Sequence, residues 1–465
     1  MKRTYVKGKA VFAIDHDRTT VTITEGTPGK TKVWKYKSAD KAHASWSEKL
    51  AKAIAAGFKP PKPREVTNPE LEAAILAAPD DDDAYSVYAD WLQAQDQPRG
   101  QLAATQAAIA KLPKGKPADQ HYYTSDSAVR EVWFDASRAK GAKALFDRQA
   151  ALFADHALNP ADYDLAEYTQ NNDGGTQRSG ARFHWRHGFV RAAWFELGGA
   201  GAEGLAAVTH AVGHPSCRFL RSLTLGQLYD SGYGTKALTA IAKVTPKTLR
   251  FLHLGDFGIG SPEISWVDVG DVSPFYKATP DLEMLVIQGA GIQLGAKVDL
   301  PKLRRLEIRT GGLPAKTARA IAASKLPALE TLIVWFGDRD YKATTKLADI
   351  TPLLAGKGIP KLTHLALANC EFANELAAAI VKSKIVKQLR TLDLSRSALD
   401  DDGARILADG KQALSHLETL DVSDSNLTPA GVKLLKGVAQ TVLAGDQREP
   451  YDWDEDKRRY VSVGE

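Results

Sequence analysis

Several residues of this 465-residue chain have types and spacings that invite chemistry. Asp80–Asp83 is a run of four acids, the raw material of a calcium loop. Such a loop needs alternating acids, a glycine at its sixth position and a glutamate at its twelfth. None falls in register here, so the run reads as a helix start with a solvated acidic face. His184 and His187 have the spacing of a metal pair on a helix. Flanked by Phe183 and Phe189-Val190 they read instead as strand, which turns positions three apart to opposite faces. Cys217 and Cys370 are the only cysteines and are too few and too distant for a zinc ribbon or a disulfide framework. They fit a reducing compartment, and a cytoplasmic location is expected. Asp393 and Asp421 each stand in an Asp-x-Ser step with no nucleophile or histidine beside them, so they are expected to satisfy backbone donors or sit in water. No phosphate-binding loop, nucleophile elbow, zinc-protease or dinucleotide motif occurs. The expectation is a protein that is not an enzyme, with no cofactor and no metal.

The elements that would position any binding residue are set by a long internal repeat. Leu-x-x-Leu-x-(Leu/Ile/Val) recurs eight times, starting at Leu220, Leu249, Leu282, Leu303, Leu329, Leu362, Leu389 and Leu417. The intervals are 29, 33, 21, 26, 33, 27 and 28 residues. The second and third apolar positions share one face of a short strand. Helical stretches lie between, such as Ala404–Ala408 and the segment opened by Thr428 as cap and Pro429 as first helical residue. One strand–helix unit cannot bury its own apolar face, so neighbours must stack. The 21-residue interval is too short for a full helix.

Stacking places the residues flanking each central Leu in three columns. The first holds Ser222, Phe251, Met284, Arg305, Thr331, His364, Thr391 and Thr419. The second holds Thr224, His253, Val286, Glu307, Ile333, Ala366, Asp393 and Asp421. The third holds Gly226, Gly255, Gln288, Arg309, Trp335, Ala368, Ser395 and Ser423. Phe251, Met284, Val286, Ile333 and Trp335 are expected to be exposed around the Arg305/Glu307/Arg309 rung, an aromatic–arginine composition suited to partner binding. Affinity is expected from Trp335, Phe251 and Met284, with the charged rung orienting the partner. Asp393 and Asp421 make an acidic far end.

This pattern resembles the leucine-rich repeat family in its longer, ribonuclease-inhibitor-like form. Leu362-x-x-Leu365-x-Leu367-x-x-Cys370 matches the full consensus. The resemblance covers roughly residues 215–445 and implies an α/β fold, a right-handed solenoid shaped as a horseshoe, with the binding surface on its concave strand face. That surface would be Phe251, His253, Met284, Val286, Arg305, Glu307, Arg309, Ile333, Trp335, His364, Asp393 and Asp421.

Ahead of the repeats, residues 68–102 carry eight acids against one arginine. Asn68 reads as the cap of a helix with Pro69 at its first position; Pro79 ends it, and a second helix from the Asp run is expected to bury Val87, Trp91 and Leu92. The Asn-Pro-Glu-Leu start, Tyr88-Ala89-Asp90-Trp91-Leu92 and Pro98-Arg99-Gly100 resemble a short repeat-companion module of bacterial repeat proteins, which implies a capping role. His187-Gly188-Phe189-Val190-Arg191 resembles the segment by which such proteins lead into their repeats.

Residues 1–67 carry 15 Lys/Arg against 6 Asp/Glu. Strands are expected at 11–14, 20–23 and 31–36, then a helix with Ala42, Trp46, Leu50, Ala53 and Ile54 on one face. The order and Gly26-Thr27-Pro28-Gly29-Lys30-Thr31 resemble the WGR domain, without its Trp-Gly-Arg signature. Eukaryotic members contact DNA, so Lys30, Lys32, Lys35 and Lys37 are the residues expected to meet nucleic acid if this domain does. Alternation puts Lys30 and Lys32 on one face and Lys35 and Lys37 on the other. A solvated basic surface, or one docked on the acidic 68–102 segment, is the preferred alternative.

The division expected is 1–60 basic α+β domain, 68–102 companion module, 103–180 helical connector, 181–214 N-terminal cap with a lead-in strand, 215–445 repeats and 446–465 C-terminal cap or tail. No apolar run is long enough to span a membrane, and the opening residues lack a secretory apolar region. The leading reading is a scaffold that is a monomer or weak oligomer and binds a protein partner. A nucleic-acid-associated adaptor acting through residues 1–67 comes second, and an unrecognised enzyme third.

Overall fold

The computed structural model describes residues 2–26, 29–58, 66–113, 141–153, 158, 160, 180–196, 201–228, 232–234, 236–256, 264–449 and 459–464. The amino-terminal unit is a four-stranded antiparallel sheet in chain order, β1 (Lys2–Lys7), β2 (Ala10–Asp17), β3 (Thr20–Glu25) and β4 (Lys30–Lys35), under helix α1 (Ala39–Ala55). Three of these strands were legible; β1 was not. Its sequence, Lys-Arg-Thr-Tyr-Val-Lys, hides the strand among charges, yet Tyr5 is wholly buried against Phe12. Phe12, Ile14, Val21 and Ile23 pack on Ala42, Trp46, Leu50 and Ala53. The side chain of Ile54, and Thr27 and Pro28 of the expected turn, lie outside the described residues.

The acidic segment folds as α2 (Pro69–Ala77), α3 (Asp82–Ala94) and α4 (Pro98–Ala110). Asn68 caps α2, its side-chain oxygen accepting from the Glu70 and Leu71 amides at 3.1 and 3.2 Å. Of the expected stripe of α3, Leu92 is buried, together with Tyr85, Tyr88 and Ala89, whereas Val87 is exposed and Trp91 half-buried. Burying two tyrosines is tolerable because each hydroxyl finds an acceptor, Pro79 O at 3.1 Å for Tyr85 and Glu72 Oε1 at 2.7 Å for Tyr88. Helix α5 (Ala142–Phe153) follows; the rest of the expected 103–180 connector beyond α4 and α5 lies mostly outside the described residues.

The remainder is one eleven-stranded sheet in strict chain order. Strands β5 (Gly180–Arg186) and β6 (Phe189–Glu196) form an antiparallel hairpin, with His184 on β5 as expected and His187 in the turn rather than in a strand. From β6 the sheet is parallel: β7 (Ser222–Leu225), β8 (Phe251–Leu254), β9 (Met284–Gln288), β10 (Arg305–Arg309), β11 (Thr331–Gly337), β12 (His364–Cys370), β13 (Thr391–Asp393), β14 (Thr419–Asp421) and β15 (Thr441–Leu443). The helices between are α6 (Gly201–Val212), α7 (Ala237–Val244), α8 (Pro274–Ala278), α9 (Ala315–Ala322), α10 (Leu347–Leu354), α11 (Ala373–Val381), α12 (Asp401–Asp409), α13 (Lys411–Leu414) and α14 (Pro429–Leu434). The repeat leucines, from Leu220 to Leu420, are buried in one continuous core shared by neighbouring units. As the short interval required, no helix joins β9 to β10; Ile292, Leu294, Val298 and Leu300 fill that layer of core. The arrangement is a mixed α/β solenoid of leucine-rich-repeat type. Among the described residues no helix is long and apolar enough to cross a membrane.

Two motifs legible in the sequence turn out to be each other's partners. Arg99 of Pro98-Arg99-Gly100 is wholly buried, donates to Gly188 O and to Ser216 Oγ (2.9 Å), and lies over the Phe189 ring. The Gly188 amide in turn donates to Gln106 Oε1 at 2.8 Å. Burial pulls the Arg99 guanidinium down to about 9, leaving it charged at neutral pH. Gly100 sits where a Cβ would lie 2.4 Å from the Gln93 backbone nitrogen, which is what lets α4 cross α3 so closely. The acids complete the dock. Glu72 pairs with Arg218, Asp80 with Arg191 (3.1 Å) and Arg221 (2.6 Å), and Asp82 with Arg186 and His187. The Asp run is the expected helix start, Asp81 capping α3, and its four acids are exposed; two of them, Asp80 and Asp82, also pair with the first strands of the solenoid.

Candidate functional site

The ladder of paired strands puts the predicted columns in register. Ser222, Phe251, Met284, Arg305, Thr331, His364, Thr391 and Thr419 are successive cross-strand partners. So are Thr224, His253, Val286, Glu307, Ile333, Ala366, Asp393 and Asp421. In the third column Gln288 pairs with Arg309 and Trp335 with Ala368.

Exposure is where expectation and structure part. Met284 is 8% exposed and Val286 only 3%, and Glu307 is fully buried. Phe251, His253, Arg305, Arg309, Ile333, Trp335, Asp393 and Asp421 are half-buried, and His364 is exposed. Over Trp335 the chain itself forms a cover. Ile264 and Val267, in the loop between β8 and β9, cluster with Trp335 and with Val463 from the far end of the chain.

Glu307 is buried with its charge answered on both sides. Arg305 reaches one carboxylate oxygen through Nε (3.0 Å) and Nη2 (2.7 Å), and Arg309 pairs with the other. A charge so enclosed is tolerable only when paired this closely. Arg309 and Arg396 also lie over the Trp335 ring, at 5.7 and 5.3 Å from its centroid. His253 sits 3.9 Å from Asp256, which accepts from the Trp194 indole at 2.7 Å. Burial holds the imidazole below its ordinary value, against the pull of Asp256.

At the acidic end, Asp393 and Asp421 accept from the Ser395 and Ser423 amides, both at 2.8 Å. Burial first, and then the neighbouring Asp421, raise the Asp393 carboxyl above its usual range. These are backbone-satisfying turns. Among the described residues no three His, Cys, Asp or Glu side chains lie together as a metal site would require.

Residues 459–464, within the stretch expected as a C-terminal cap or tail, are seated across the carboxyl ends of the strands. Asn369 donates to Val463 O at 2.6 Å and accepts from its amide at 2.9 Å. The Ser462 amide donates to Arg396 O (2.9 Å) and its hydroxyl to Asp424 (2.5 Å). Arg459 pairs with Asp400 at 2.6 Å, and Ser265 donates to Gly464 O. No local sequence signal points to this contact, because its partners lie from 38 to 199 residues apart.

On β4, Lys30, Lys32 and Lys35 are exposed, as is Lys37 just beyond it. Lys32 stands opposite Ile23 on the helix side of the sheet and Lys35 opposite Thr20 on the other, in unbroken register. The four lysines therefore do not form one stripe.

A leucine-rich repeat family model matches residues 388–408 and 413–436. Over the whole of both chains the fold is similar to that of a crystallised protein from Bacteroides fragilis, with 20% identity and a TM-score of 0.50. Parts of the chain also align with TLR13 in its complex with ssRNA13 (17% identity, TM-score 0.32, 54% of this chain and 31% of that one). An internalin from Listeria monocytogenes aligns at 16% identity with a TM-score of 0.29, over 51% of this chain and 70% of that one. No curated protein matches the chain.

Proposed function

We propose that this chain is a non-enzymatic scaffold that binds a protein partner on the strand face of its repeats. The reading is carried by the registered ladder of half-exposed side chains across adjacent parallel strands, with Phe251, Arg305, Ile333 and His364 accessible and the Arg305–Glu307–Arg309 rung locked in place beneath them. A rigid charged rung beside apolar side chains fixes a partner's orientation at little entropic cost. The companion module serves as a cap that seals the first repeats, and the amino-terminal sheet is a WGR-like appended module. The buried free thiols of Cys217 and Cys370 suit a reducing, cytoplasmic setting.

The test is capture from native lysate by the full chain, treated with nuclease, against Ile333→Glu. A partner retained by the parent and lost by at least tenfold in the variant supports the reading. Equal retention by both removes the strand face from the interaction.

The exposed lysines of β4 support a second reading, in which the basic unit contacts nucleic acid through phosphates. Binding of duplex that falls steeply with salt, and less steeply when Lys30 and Lys32 are both changed to Gln, distinguishes it.

A further inference from the structure

We propose that the rim built by Asn369, Arg396, Asp424, Trp335 and the 264–267 loop is a receptor for an extended peptide, filled here by the chain's own residues 462–464. It deepens the scaffold reading and rests on it. The occupant it predicts is a partner segment carrying, in consecutive positions, a hydroxyl residue, a β-branched apolar residue and glycine.

Each requirement is visible in how the chain's own segment is held. The backbone of Val463 is read twice by one side chain, Asn369 donating to its carbonyl and accepting from its amide. This is main-chain recognition, indifferent to sequence and typical of extended peptides. The Val463 side chain packs on the apolar pair Ile264 and Val267, against which the arginine-flanked Trp335 ring also packs. One residue earlier, the Asp424 carboxylate accepts the Ser462 hydroxyl. One residue later only glycine fits. A Cβ on Gly464 would stand 2.4 Å from the Tyr341 ring, and Gly311 leaves room for the Gly464 carbonyl, which a Cβ there would meet at 2.0 Å. Position-by-position selection of this kind is what an extended-peptide site requires.

The resident segment is linked to the repeats through residues 450–458 of the same chain. A tethered ligand competes at high effective concentration. A free peptide should therefore bind poorly to the parent chain and well once the resident segment is disabled.

The experiment uses the full chain carrying Ser462→Ala and Val463→Asp, verified as folded by circular dichroism, and a fluorescent peptide of sequence Arg-Tyr-Val-Ser-Val-Gly-Glu. The peptide is expected to bind this variant at least tenfold more tightly than the parent, and adding Asn369→Ala is expected to reverse the gain. Equal binding to the parent and the released variant overturns the inference. Should the double variant fail to fold, Gly464→Val, which forces only the segment's end against Tyr341, is read by the same assay with the same two outcomes. A partner captured on the strand face that the peptide fails to displace overturns this inference and leaves the scaffold reading standing. Tight peptide binding with no strand-face partner overturns the scaffold reading and, with it, the inference that a partner segment takes this seat.

Discussion

Arg305 and Glu307 stand two residues apart on one strand, and the arginine closes on a single carboxylate oxygen of its neighbour with two donors, at 3.0 and 2.7 Å. Strand alternation puts both side chains on the same face, so the pair is a local consequence of sequence. Arg309, two residues further, makes it a triad. Removing the central acid leaves two arginines facing each other at the edge of the core. Glu307→Ala is expected to lower unfolding stability by about 3 kcal/mol, measured by urea denaturation. Glu307→Gln should fall between it and the parent.

The dock of α2–α4 on the first strands predicts a sharper result for a smaller change. Gly100→Ala places a methyl group against the backbone of α3, where no side chain can yield. Arg99→Lys keeps the charge but cannot reach Gly188 O and Ser216 Oγ together. Both are expected to cost at least 2 kcal/mol, about the penalty of stranding buried polar groups or forcing backbone apart. Hydrogen exchange should show the loss concentrated in α2–α4 and β5–β7. Uniform loss along the repeats would refute the dock as a local seal.

His253 gives the pH dependence its sign. Burial lowers its folded value below the ordinary one of about 6.5. Between the two values the unfolded chain binds the extra proton, so stability contributed by the neutral imidazole is present above pH ~6.5 and is lost as pH falls through that window. The melting temperature is expected to drop between pH 7 and 5.5, and His253→Leu should make that drop shallower. An unchanged slope would assign the acid sensitivity elsewhere.

On the strand face, Ile333→Glu is expected to weaken partner capture at least tenfold while leaving the melting temperature within a few degrees, because the residue is only half-buried. Loss of capture together with gross unfolding would leave Phe251→Ser as the deciding variant.

Much of this was readable in the chain. Eight hexamers in register fix the strands, and Leu223/Leu225-type spacing fixes which side chains leave the sheet on either side, so the columns came out correctly. The cap was readable too, from Asn68 and Pro69. What alternation cannot tell is whether something lies over an outward-facing residue. Met284, Val286 and Trp335 point where the pattern puts them and are covered all the same, with Ile264, Val267 and Val463 closing over the tryptophan. The phase of α3 failed for another reason. Val87 is apolar and yields its buried place to Tyr85 and Tyr88, whose hydroxyls are satisfied only by partners that folding brings near. The Asp run likewise found its arginines more than a hundred residues away.

The path of residues 459–464 has a mechanical consequence. A repeat stack touches only next neighbours, and so twists and stretches like a spring. This short segment is fastened at Asp400, Asp424, Arg396, Asn369 and Ser265, which belong to units stretching from the loop after β8 to the turn after β14. It acts as a tie across the coil. With the tie fastened, deforming one of these four units must deform the others, and the pitch of the whole middle of the solenoid is set; unfastened, each unit regains its own compliance.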